Sequence, residues 1–221
     1  MPEALRQTLD FLRQLHVNNN RQWFEAHRKD YEHARGCFED VVTNLIHQFA
    51  PVDDLGHITA KDCMFRINRD VRFSNNKSPY KSTMSAVFGQ QGRKSSGRSY
   101  YFQIAPDGES LLAGGLYDAS AEQLGKMRAA IAENPKRLKQ VIHAPDFIRY
   151  FGEMGGESLK TAPQGYAKDH PEIVLLRYKQ YLASHAMTDD QALAADFVPQ
   201  VLDVYKAMKP LLLYIENVVR V

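Results

Sequence analysis

The stretch Phe65-Arg66-Ile67-Asn68-Arg69-Asp70-Val71-Arg72-Phe73-Ser74-Asn75-Asn76-Lys77-Ser78-Pro79-Tyr80-Lys81 sets five cations within sixteen positions among Phe, Tyr, Asn and Ser. Guanidinium forks grip phosphate and carboxylate groups in a bidentate way, so this is a residue set that an anion site needs. Arg66, Arg69, Arg72, Lys77, Tyr80 and Lys81 are the candidate ligand-binding residues, with Asp70 placed to orient an arginine. Two geometries are open. If Cys63–Ile67 is a strand that runs on through Phe73, Arg69 shares a face with Phe65, Ile67, Val71 and Phe73 and must find a partner there. If it ends near Asn68, the three arginines lie on a turn and converge on one ligand. A third arrangement turns the arginines inward, into ion pairs with acidic helices.

Asp169-His170-Pro171 offers an imidazole beside a carboxylate, the elements of a general base. The same residues also suit the entry to a helix begun by Pro171. His170 and Asp70 are therefore the candidate catalytic groups if the anion is a substrate. Eight histidines occur without HExxH or a Cys/His cluster, and no Walker loop, GxGxxG or G-x-S-x-G elbow is present. No metal and no cofactor is expected. Cys37 and Cys63 are not spaced as CxxC, which suits two free thiols in a reducing compartment.

Charge is unevenly spread. The chain of 221 residues carries a net +2, yet Lys61–Tyr101 holds +7 and the remainder −5. At 44% hydrophobic and 24% charged the composition is that of a globular protein, not of a disordered or collagenous one. No apolar run reaches the roughly 18 residues of a membrane span, and the amphipathic N-terminus lacks the basic start and apolar core of a secretory signal. A cytoplasmic location and no membrane partner are expected.

The elements that must position these residues follow from periodicity. Leu5, Leu9, Leu12 and Leu15 predict a helix over 3–16, and Trp23 to Phe49 predicts a second one up to Pro51, capped by Asn19 or Asn20. Trp23 is expected in the core. From Cys63 the period moves towards two, with strands over 63–67 and 82–88. A mobile Gly/Ser/Lys-rich loop is expected over 90–99. Tyr100–Ala105 and Glu109–Tyr117 form a hairpin around Pro106-Asp107-Gly108, with Gly114-Gly115 marking a bulge or a close backbone approach. Ser120 with Gln123, Asn134-Pro135 and Asp146 start further helices. Helices are expected again over Glu172–Ala183 and from Asp189 on, with Pro210 kinking or dividing the last. The sum is an α+β protein: about four antiparallel strands flanked by N- and C-terminal helices, in a single domain over 1–221, the helices from about 172 forming a sub-layer.

Asn19-Asn20 with Trp23-Phe24 and Tyr31, Phe65-Arg66-Ile67 to Tyr80-Lys81, Tyr100-Tyr101, Gly114-Gly115, Pro163-Gln164-Gly165-Tyr166 and Asp169-His170-Pro171 together resemble the family catalogued as domain of unknown function 2461. The resemblance covers nearly the whole chain and implies a soluble, bacterial-type protein of this size. It brings no activity or cofactor with it. Gln164 stands where the resemblance leads one to expect Lys, which removes a charge role there.

Three functions are thereby open. The leading one is an anion-binding protein for a phosphorylated small molecule or a nucleic-acid backbone. For nucleic acid the loop of Arg93, Lys94 and Arg98 must extend the patch, with Tyr100 or Tyr101 exposed for stacking. The second is an enzyme acting on a phosphate ester or other anion, which requires His170 within one water of the arginines. The third is a non-catalytic interaction protein, which requires Arg66, Arg69 and Arg72 to be buried and acid-paired.

Overall fold

A computed structural model describes residues 1–220. Helices α1 (Pro2–Val17), α2 (Arg21–Ala26), α3 (Arg28–His47) and α4 (Ala60–Cys63) precede strands β1 (Met84–Phe88), β2 (Tyr100–Ile104) and β3 (Ser110–Leu116). Then come α5 (Ala121–Glu133), α6 (Pro135–Ile142), α7 (Pro145–Phe151), α8 (Ile173–Leu176), β4 (Tyr181–Met187), α9 (Asp189–Ala192) and α10 (Phe197–Val219). The strands make one antiparallel sheet in the order β1-β2-β3-β4. The fold is α+β, as the element pattern implies. Among the described residues no helix is long and apolar enough to cross a membrane.

Alternation gives the sheet one packed face. Ala86, Phe102, Leu112 and His185 lie in register across it. Phe102 stacks on Phe38 of α3 at 5.7 Å and meets Phe197 of α10 at 6.0 Å, so the N- and C-terminal helices share one core on the same side. On β4, His185 Nδ1 is 2.8 Å from the Tyr150 carbonyl of α7.

Several elements differ from the sequence expectation. Residues 63–67 are not a strand: α4 ends at Cys63, and only single pairings, Met64 with Ala86 and Asn68 with Tyr80, follow. The fourth strand is Tyr181–Met187, within and beyond a stretch expected to be helical. Its Ala, Leu and Met favour helix, but seven residues in register with β3 override that preference. The helix expected through Trp23 breaks at His27, whose ring stacks on Trp23 at 4.1 Å while Nδ1 lies 2.8 Å from the Trp23 carbonyl. Trp23 is half-buried against the core. Ala144, not Asp146, precedes α7, with Pro145 as its first residue.

Helix α10 passes undivided through Pro210, whose exposed position leaves the missing hydrogen bond to water. The break falls earlier, between Ala192 and Phe197. Gly115 marks a close approach and no bulge: the β3–β4 register runs unbroken, and a Cβ there would stand 2.1 Å from the Tyr181 carbonyl oxygen.

The loop 90–99 is tied down. Gly92 sits at φ 56° against the Asp62 backbone, and Arg93 donates to the Lys61 carbonyl at 3.1 Å and to that of Met64. Arg98 lies between Asp53, at 3.0 Å, and Glu216 of α10, whose carboxylates are 10% and 8% exposed. Tyr100 Oη donates to Asp53 at 3.0 Å, Lys209 lies 3.5 Å from it, and Arg220 pairs with Glu216 at 2.6 Å. Burial alone would raise the Asp53 carboxyl; Arg98, Tyr100 and Lys209 outweigh it and hold the group below its ordinary value.

Removing Arg98 takes the shared partner from two buried carboxylates, leaving Asp53 to Tyr100 and Lys209 and Glu216 to Arg220. Arg98→Ala is expected to lose about 2 kcal/mol in urea unfolding at neutral pH. A carboxyl lowered on folding stabilises above its unfolded value of about 3.9 and loses that contribution as pH falls. The wild type should therefore lose stability below about pH 4, and the variant, already lacking the contribution, should lose less. An Arg98→Ala protein as stable as wild type would contradict this account.

Candidate functional site

The basic stretch forms a loop with a closed neck. Lys81 N donates to the Ile67 carbonyl at 2.8 Å and Arg69 N to that of Pro79 at 2.9 Å, around the Asn68–Tyr80 pair. Asn20 caps α2 by accepting from Trp23 N at 2.9 Å. That leaves the neighbouring Asn19 free to clamp the neck: its Oδ1 accepts from Tyr80 N at 3.1 Å and its Nδ2 donates to the Tyr80 carbonyl at 2.9 Å. The buried Tyr80 ring stacks on Phe24 at 3.9 Å. Tyr80 thus anchors the loop to the helices and is not an exposed ligand group.

Within the loop the candidates divide. Arg72 closes on Asp70 with Nη2 at 2.6 Å from Oδ2, and this bond holds the Asp70 carboxyl below its ordinary value. Lys77 donates to the Val71 carbonyl at 3.0 Å. These three residues fasten the loop tip, from which Phe73 projects 96% exposed. Arg69 donates to the Ser78 carbonyl at 3.2 Å and Ser74 Oγ at 3.3 Å. Neither Arg66 nor Arg69 forms an ion pair with a carboxylate among the described residues, so the scaffold arrangement, with all three arginines buried and acid-paired, is not the one adopted.

Lys81 has the most telling environment. Its Nζ lies 5.4 Å from the centre of the Phe65 ring. Partial burial first, and the charge of Arg66 second, push its pKa down. Arg69 and Lys81 line an open cleft of about 310 Å³ together with His16, Asn19, Ser82 and Thr83; among the described residues no carboxylate lines it. Sequence reading missed His16, Ser82 and Thr83, and took Asn19 only as a cap. The run Asn18-Asn19-Asn20 holds more asparagines than a cap needs, which was the available signal.

His170 is not brought to this cleft. It is not among the residues that line the cleft, and its neighbour Glu172 pairs with Lys139 of α6 at 2.6 Å. His170 Nδ1 accepts from Glu172 N at 3.0 Å, at the entry to α8, which begins at Ile173 and not at Pro171. Tyr100 is buried and Arg98 is ion-paired, which removes two of the groups expected to extend the patch. Arg93 and Lys94 are exposed and Tyr101 is half-buried.

The sequence matches the family described as "Conserved hypothetical protein (DUF2461)" over residues 7–214. The chain belongs to this family. No curated protein and no solved structure matches it. The matched span of this family member includes α2, the whole basic loop and all four strands.

The Asn19 clamp is the contact on which the cleft depends. Asn19→Ala should cost about 1–2 kcal/mol in urea unfolding, because it strips partners from two part-buried backbone groups. Amide hydrogen exchange at Tyr80 should quicken with it. Unchanged exchange would show that the neck holds without Asn19.

Proposed function

We propose that the protein binds a phosphate-bearing anion in the cleft between the α1–α2 corner and the basic loop. One observation carries this: Arg69 and Lys81 line a cleft in which no carboxylate stands among the described residues. The Lys81 charge is disfavoured by partial burial and by nearby Arg66, and an anion beside it would lower its energy. The hydroxyl groups of Ser82 and Thr83 supply further hydrogen bonds suited to phosphate oxygens. Asp70 is engaged by Arg72 and His170 does not line the cleft, so binding is favoured over catalysis by those two groups.

The reading is tested by thermal unfolding with inorganic pyrophosphate at constant ionic strength. Ligand that binds only the folded state raises the melting temperature, by an amount equivalent to about 2.7 kcal/mol at a hundred times Kd. Pyrophosphate should stabilise the wild type. Lys81→Met should melt at or above the wild-type temperature without ligand, since it removes a charge disfavoured by burial and by Arg66, and should lose most of the pyrophosphate response. An equal response in both proteins would place the anion elsewhere.

A further inference from the structure

The second face of the sheet is unusual for one turned to water. An antiparallel sheet with one packed face ordinarily carries polar residues on the other. Here the ten outward strand positions, from Ser85 to Ala186, hold no charged residue. Val87, Tyr101, Leu111 and Leu182 are among them, all only half-buried, and Tyr117, next on that side beyond β3, is 70% exposed. Phe65 joins this face. Met64 pairs with Ala86, which faces the core, so the adjacent Phe65 and Ser85 point to the open side; Phe65 N donates to the Ser85 carbonyl at 2.9 Å. The Phe65 ring is 40% exposed and has Lys81 Nζ against it.

An uncharged face bearing aromatics is therefore bordered along β1 by cations. Arg66 and Lys81 stand at the neck of the basic loop, and Arg93, bound to the Met64 carbonyl, continues the border with Lys94. We infer that single-stranded nucleic acid lies on this face, with unpaired bases stacked on Phe65, Tyr101 and Tyr117 and phosphates on Arg66, Lys81 and the cleft. The inference rests on the anion site proposed above. Bases offer flat, uncharged surfaces to aromatic rings, while the backbone needs a row of cations beside them. A duplex keeps its base faces stacked internally and has none to offer. A second copy of the chain would cover the apolar positions but would have to set carboxylates against Arg66 and Lys81, and the outward strand positions supply none.

The test is fluorescence anisotropy of labelled mixed-sequence 15-nucleotide RNA and DNA strands, and of the matching duplex, at two salt concentrations. The proteins are wild type, the Phe65→Leu, Tyr101→Leu double variant, and Tyr117→Leu, whose exposed position spares the core. Wild type should bind the single strands, more weakly at higher salt, and the duplex poorly. The double variant should bind at least about tenfold more weakly and Tyr117→Leu several-fold more weakly, with the pyrophosphate response of Tyr117→Leu intact. Pyrophosphate stabilisation without strand binding would overturn this inference and leave the anion site standing; absence of both would overturn the two together. Strand binding unaltered in all variants would remove the sheet face from the site. Sedimentation velocity showing a dimer that the double variant dissolves would assign the face to a second copy instead.

Discussion

Lys81 is held at the neck of one loop beside Arg66, with neither in an ion pair among the described residues, and the rest of the site exists to keep Lys81 there. Partial burial and mutual repulsion both work against the Lys81 charge. Opposing this are the two backbone hydrogen bonds of the neck, the paired Asn19–Tyr80 bonds and the Tyr80–Phe24 stack. Elsewhere the chain neutralises such charges. Arg98, Lys209 and Arg220 gather around Asp53 and Glu216, and Arg72 turns back on Asp70. The same protein thus treats cations in two ways: some fasten helices to the sheet, and two, Arg69 and Lys81, line an open cleft without an ion-paired carboxylate among the described residues.

The sheet supplies the frame for that difference. One face is consumed by α3 and α10, whose Phe38 and Phe197 meet on Phe102. The basic loop lies along the edge strand β1, next to a second face that carries no charge on its strands. Charge and apolar surface therefore meet along one border and not across the core.

Much of this was legible in the residues. The fold class, the Pro106-Asp107-Gly108 hairpin and the Ser120–Gln123 capping box are local signals, written in turn chemistry and helix spacing. The fourth strand was not, because Tyr181–Met187 is composed of residues that also suit a helix and is made a strand by pairing with β3, sixty-five or more positions earlier in the chain. The basic segment was recognisable as a unit, but its internal division was not. Which cation folds back on Asp70 or Val71, and which stays without an acid, depends on how a turn closes and on an asparagine 61 positions away. The Asp53–Arg98–Glu216 cluster joins residues 45 and 118 positions apart and has no local pattern at all.

The most direct measurement is the titration of the Lys81 side chain itself, followed by NMR of its Nζ or Cε resonance with and without saturating pyrophosphate. Without ligand, Lys81 should lose its proton below the ordinary lysine value of about 10.4, and pyrophosphate should move that transition upward, as an anion now favours the charged form. A Lys81 titration unmoved by pyrophosphate, while other lysines respond, would contradict the claim that this pair of charges is kept for an anion.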